Sequence, residues 1–181
     1  MKKIVITYPT NFDGELEQIL SVLEDKKVIL HLRKLDASEE VYEEILELIP
    51  EESIRQIVLH DYYHLAEKYA VAGIHLSTKK REQGEFVKST NQQISTSTHS
   101  INELKEIDGQ FDYAFLSPIF PSISKQRYEG NLDVEEIKTY LQSARKTKVI
   151  ALGGIDERKI KQLEDWGFDG YAQLGSIWIL K

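Results

Sequence analysis

Polar side chains fall where short apolar runs end. Counting in twos along each run places His31 and Arg33 on one face of the second, Leu59 and Asp61 on one face of the third, His75 on the fourth, and Ser95, Ser97 and His99 on the fifth. An imidazole titrates near neutral pH and can move a proton, a guanidinium and hydroxyls bind phosphate oxygens, and a carboxylate suits a hard cation. A second set follows the sixth run, in DYAFLSPIFPSISKQRYEG from Asp112 to Gly130. Pro118 and Pro121 remove backbone donors and end the strand, and Ser122, Ser124 and Lys125 then place hydroxyls and a cation on the loop. A third set, Gly153 with Gly154 and Gly175 with Ser176, follows the seventh and eighth runs. Small residues there let backbone N–H groups reach phosphate oxygens.

Each of these has a plainer explanation. Asp61 and Ser100 are good helix N-caps, His75 is also readable as a hydrogen-bonded core histidine, Lys125 as a solvated loop cation, and paired glycines as an ordinary turn. Their common position at strand ends is what packing alone does not require.

The elements that would position them alternate regularly. Runs rich in Val, Ile, Leu or Thr cover residues 3–9, 27–34, 55–61, 73–77, 93–99, 113–119, 149–154 and 170–177. Amphipathic segments lie between them, among them 12–26, 38–49, 62–71, 133–146 and 156–167, with Ser38, Asp61, Ser100 (Glu103 three residues on), Asp133 and Asp156 as capping residues. Strands alternating with helices predict a parallel sheet, and eight such units predict an α/β fold of the (β/α)8 TIM-barrel type over residues 1–181 as one domain, an open doubly wound sheet being the alternative. The chain is small for a barrel, since ~200 residues is the usual lower end. Only Trp178 to Lys181 follow the eighth run, so a final helix is missing or barely begun. Either a partner subunit in a homo-oligomer covers the final strand and Trp178, or the chain is truncated.

Composition narrows the ligand. The 181 residues are 41% hydrophobic, enough for one core, and carry a net charge of −7 without a basic stripe. That argues against nucleic acid and an anionic membrane surface, and for a small ligand; the glycines after the seventh and eighth runs are what imply that the substrate is phosphorylated. With no cysteine, disulfides, thiolate zinc sites and cysteine nucleophiles are excluded. The start MKKIVITYP has no secretory apolar region and no run is long enough to span a bilayer, so a cytoplasmic location is expected. His60 and His64 stand four apart, but across a strand-to-helix junction, which disfavours a shared metal.

GIHLS, STH, PIFPSISK and ALGGI, met in that order, resemble the GVHLG, S-x-H, P-I-F-P-T-x-T-K and A-I-G-G-I runs of the thiamine phosphate synthase and TenI family. The likeness extends from about Leu30 to Ile177, with the PIFPSISK loop its most specific part. It implies a barrel that joins, or prepares, the pyrimidine and thiazole halves of thiamine. It further implies that Arg33, Ser97, Ser122, Ser124 and Lys125 contact pyrophosphate, that Asp61 matches a magnesium-binding aspartate, and that Gly154 contacts the thiazole phosphate.

The departures are specific. Where a synthase reads R-E-K this chain has Arg33, Lys34 and Leu35, so one pyrophosphate lysine is lost unless Lys34 replaces it; where a synthase reads N-D it has His60 and Asp61. The G-Q-E-D run is Ser77, Thr78, Lys79, Lys80, which turns the second magnesium-binding acid into a lysine. Ser176 stands beside Gly175, where the family has a serine. Magnesium wants oxygen ligands and an ammonium opposes it, so Lys80 is expected instead to neutralise phosphate. Three readings follow. A synthase would use Mg2+ and Lys125 to stabilise departing pyrophosphate. A TenI-type thiazole tautomerase, toward which the loss of the acid tilts the balance, would need no metal and would use His99 as general acid and base. A non-catalytic binder of phosphorylated thiamine intermediates is the third.

Overall fold

The computed structural model describes residues 1–84, 92–121 and 132–179. Strands β1 (Lys2–Ile6), β2 (Val28–Leu32), β3 (Ile57–Leu59), β4 (Gly73–Leu76), β5 (Gln93–Thr98), β6 (Tyr113–Leu116), β7 (Lys148–Leu152) and β8 (Gly170–Gln173) close in chain order into a parallel barrel, β8 returning to β1. Helices α1 (Glu15–Leu23), α2 (Glu39–Leu48), α3 (Glu51–Ile54), α4 (Leu65–Lys68), α5 (Thr78–Gln83), α6 (Ile101–Glu106), α7 (Val134–Gln142) and α8 (Glu157–Trp166) fill the crossovers. This is the expected (β/α)8 architecture.

The period of two divides each strand between two cores. Val5, Leu30, Leu32, Ile57, Leu59, Leu116 and Val149 face outward into one layer with Ile19, Leu23, Tyr42, Leu46, Ile137 and Leu163 from the helices. Ile4, Ile6, Tyr113, Phe115, Ile150 and Ala172 face inward. Parallel strands buried on both faces read as continuous apolar runs, so hydropathy alone does not reveal which residues turn in.

Several expected caps are made. Ser100 accepts from Glu103 N, Asp133 from Glu135 N and Glu136 N, and Asp156 from Arg158 N. Ser38 stands at the cap of α2 but makes no side-chain cap bond. Asp61 is not a cap at all: α4 starts at Leu65 with His64 before it.

The end of the chain corrects another expectation. Trp178 is 7% exposed without any partner subunit. Its indole N–H donates to Ile6 O at 2.8 Å, its ring meets Phe12 edge-on at 6.3 Å, and the next residue, Ile179, exchanges two 2.9 Å hydrogen bonds with the Gln18 amide. No helix follows β8 among the described residues; the segment after it packs back on β1 and α1 and itself covers Trp178. No helix among the described residues is long and apolar enough to cross a membrane.

Candidate active site

The carboxyl ends of β2 to β5 bring together the polar side chains singled out in the sequence. Register pairs His31 with Val58, His75 with Ser95 and Ser95 with Tyr113. His60, two residues past Val58, therefore turns into the barrel, whereas Leu59 lies in the outer layer. The expectation that Leu59 and Asp61 mark the inward face of β3 is wrong by one residue.

These side chains form an arc of two hydrogen-bonded sets joined by ring stacking. His31 Nδ1 meets His60 Nε2 at 2.9 Å, and His31 Nε2 meets the Tyr113 hydroxyl at 2.7 Å. His75 has a serine on each nitrogen, Ser95 Oγ at 2.9 Å from Nδ1 and Ser97 Oγ at 3.0 Å from Nε2. The His60 and His75 rings stack at 4.3 Å, and Phe115 stacks on His75 at 4.8 Å. His31 and His75 are buried, His60 and Ser97 half-buried. Burial holds all three imidazoles neutral. His75 is pushed down to about 3 by burial and then by the nearby Arg33 guanidinium. Burial likewise carries His31 and His60 well below the ordinary imidazole value, with the other rings and Arg33, Lys2 or Lys80 adding to it.

Cations border the arc. Arg33 follows β2 directly, its backbone clamped by Thr7, whose hydroxyl donates to Arg33 O at 2.7 Å and lies 2.9 Å from Arg33 N. The guanidinium acts electrostatically on both His60 and His75, and it pairs with no described carboxylate. Lys80 donates to Asp61 Oδ1 at 2.7 Å and to His60 O at 3.4 Å, and lies 4.6 Å from the Tyr63 ring centre. Among the described residues its ammonium is paired with Asp61.

That pairing decides the fit for magnesium. One Asp61 oxygen holds an ammonium and the other accepts from the Tyr42 hydroxyl at 3.3 Å. A second acid is absent from the sequence here, so these residues do not form a magnesium cage. Lys34 is no substitute for the missing lysine either. It is 3% exposed, with its ammonium on Glu15, on Tyr8 O at 3.1 Å and on Thr10 O at 3.4 Å. It is spent inside the protein.

His99 stands apart at the exposed end of β5. Its Nδ1 is 2.9 Å from Ser117 O; a carbonyl only accepts, so Nδ1 carries the proton and Nε2 the lone pair. Gly153 and Gly154 have φ of 101° and 61°, and a Cβ on Gly154 would stand 2.7 Å from Pro121 O. The Pro118–Pro121 segment lies across them, with Phe120 N donating to Gly153 O at 3.2 Å, so this close approach already accounts for both glycines. Gly175 and Ser176 are exposed beyond β8, Gly175 with open space around it and Ser176 Oγ accepting from Gln173 at 3.4 Å. Ser122, Ser124 and Lys125 lie outside the described residues. His64 does not join His60; it is exposed and bonds Glu39 at 2.8 Å. Tyr113, which ties His31 into the arc, was read as an ordinary strand residue. Its register partner Ser95 on the neighbouring strand becomes visible only in the folded barrel.

Fold and site define a (β/α)8 barrel with a cationic, imidazole- and hydroxyl-lined mouth at the carboxyl ends of its strands. A family model described as thiamine monophosphate synthase matches residues 4–177, and the chain belongs to that family. A thiamine-phosphate synthase of Listeria welshimeri is 30% identical over 66% of this chain, and one of Anoxybacillus flavithermus is 30% identical over the same share. The matched region spans 60% and 56% of those two relatives. The solved structure of a thiamine phosphate pyrophosphorylase from Bacteroides thetaiotaomicron superposes with a TM-score of 0.81 at 35% identity, covering 98% of this chain and 85% of that one. Another from Pyrococcus furiosus, at 22% identity and a TM-score of 0.69, shares the fold. The relatives' names favour the synthase reading over the tautomerase reading toward which the sequence tilted.

Proposed function

We propose that the chain is a transferase of the thiamine phosphate synthase type. The thiazole nitrogen of a thiazole phosphate attacks the exocyclic carbon of a pyrimidine methyl diphosphate, the bond from that carbon to the diphosphate oxygen breaks, and pyrophosphate leaves with both electrons of that bond. The observation that supports this most is Arg33, a guanidinium without a described carboxylate partner at the mouth of the barrel, near His60 and His75. Such a group stabilises the charge that develops on a departing phosphate. Lys125, Ser122 and Ser124 would add donors from the loop after β6, and the exposed Gly175 and Ser176 would face the thiazole phosphate.

One observation favours tautomerisation of a thiazole phosphate carboxylate as a second reading. His99 is fixed with its lone-pair nitrogen away from Ser117, the arrangement a general base needs. Incubation with both phosphorylated halves, with and without magnesium, followed by mass detection, separates the readings. Thiamine phosphate and pyrophosphate in equal amounts are expected. Tautomer turnover without coupling would replace the transferase reading with the second one. Thermal stabilisation by the thiazole phosphate with neither product would leave a binding protein.

A further inference from the structure

One nitrogen from each of His31, His60 and His75 lies within 4.8 Å of one from each of the others. Three imidazoles converging in a barrel mouth are a donor set for zinc or a similar first-row ion, not for magnesium. We propose that His31, His60 and His75 form a binding site for a single divalent transition-metal ion, with zinc the reference ion, at the base of the mouth and separate from Asp61.

The surroundings support this beyond mere proximity. A metal-ligating histidine characteristically gives its other ring N–H to a fixed acceptor, which sets the tautomer and the ring plane. With Nδ1 of His31 turned to the ion, Nε2 remains on the Tyr113 hydroxyl at 2.7 Å. Whichever nitrogen of His75 turns, the other keeps a serine hydroxyl within 3.0 Å. Ser95 is anchored in turn, its hydroxyl donating to Ile74 O at 3.3 Å. In the 2.9 Å contact between His31 and His60 one ring donates a proton to the other. Releasing both lone pairs needs only that this proton move to the donor ring's second nitrogen, so no net charge is lost.

Tetrahedral bonds of about 2.0–2.1 Å set ligand nitrogens about 3.4 Å apart, so the widest pair must close by roughly 1.5 Å, within reach of side-chain rotation at strand ends. Three protein ligands leave a fourth position, which an anionic ligand would complete. Arg33 and Lys80 oppose a bare dication, which predicts binding weaker than in a charge-neutral pocket. The proposal does not depend on the transferase reading.

The test uses the full chain stripped with a chelator. Zinc and magnesium are titrated calorimetrically, cobalt(II) by visible absorption, and melting temperature is followed with each metal. One zinc per chain, intense cobalt bands of low coordination number, a higher melting temperature with zinc and no comparable magnesium binding are expected. His60→Asn and His31→Gln should each weaken zinc by about 100-fold or more, at least the loss that outer partners alone produce. His64→Asn, at an exposed histidine outside the arc, should change nothing. Absence of zinc binding tighter than about 100 µM to the unmodified chain overturns the site, as do weak octahedral cobalt bands. So does retention of the site in folded His60→Asn and His31→Gln, or its loss in His64→Asn. Should a variant fail to fold, the stoichiometry and cobalt spectrum of the unmodified chain still decide.

Discussion

The barrel interior has two unlike sides. On β7, β8 and β1 the inward residues are Ile150, Ala172, Ile4 and Ile6, all buried, with Leu152 and Leu174 partly buried above them. From β2 through β6 they include His31, His60, His75, Ser95, Ser97 and Tyr113, held by hydrogen bonds and ring stacking, with Ile29 and Val58 as apolar members and Phe115 where the sides meet. Barrels usually fill this space with branched aliphatic residues. Buried polar groups are tolerated if every one finds a partner, but they add less stability than the apolar residues they displace. Here the arc is well satisfied. The described buried side-chain atoms left without a partner belong to Gln56, Tyr140 and Arg145, all outside it. One side of the interior thus holds the barrel together, and the other is kept polar at a cost that chemistry at the mouth explains.

The largest effect should come from the apolar side. Ile150→Ala removes a fully buried side chain and should cost about 2–5 kcal/mol, lowering the melting temperature by roughly 5–15 °C. Pyrophosphate affinity of the folded fraction should stay unchanged. Lost affinity without lost stability would show that the two sides do not divide labour in this way.

Arg33→Ala sharpens the contrast from the opposite direction. Removing one charge-assisted contact of about 1.5–3 kcal/mol should weaken pyrophosphate binding about 10- to 150-fold. The side chain pairs with no described carboxylate, so the melting temperature should move by less than about 2 °C. Unchanged affinity on calorimetric titration would remove the main support for the proposed transferase.

How far the sequence revealed this depends on whether a residue's role is local. The eight strands were legible because each run is short, branched and bounded, and the parity of β2 and β5 was legible because His31 with Arg33 and Ser95 with Ser97 mark one face in polar residues. β3 offered no such mark: Ile57, Val58 and Leu59 are all fully buried, so Leu59 and Asp61 were counted as the inward pair in place of Val58 and His60. Lys34 and Lys80 looked like free phosphate ligands because their partners, Glu15 and Asp61, are 19 residues away in each case and only the folded chain brings them together. Trp178 looked uncovered for the same reason, its acceptor being Ile6 at the far end of the chain. The PIFPSISK loop, the most specific motif in the sequence, has its serines and lysine outside the described residues.

The smallest predicted effect is also the most discriminating within the polar side. Tyr113→Phe keeps the ring that packs at 6.1 Å from Phe115 and deletes only the hydroxyl that His31 Nε2 meets at 2.7 Å. Losing a hydrogen bond at a buried group should cost about 1–2 kcal/mol, less than Ile150→Ala, or a fall of a few degrees in melting temperature. If the arc serves packing alone, nothing further should change. If Tyr113 orients His31 as an outer partner of a metal site, zinc affinity should also fall, by about 10- to 100-fold, while the cobalt spectrum keeps its low-coordination bands because all three imidazoles remain. A Tyr113→Phe protein that loses stability yet binds zinc as tightly as the unmodified chain would make the hydroxyl a structural tie and leave His31 to be held by His60 and the strand alone.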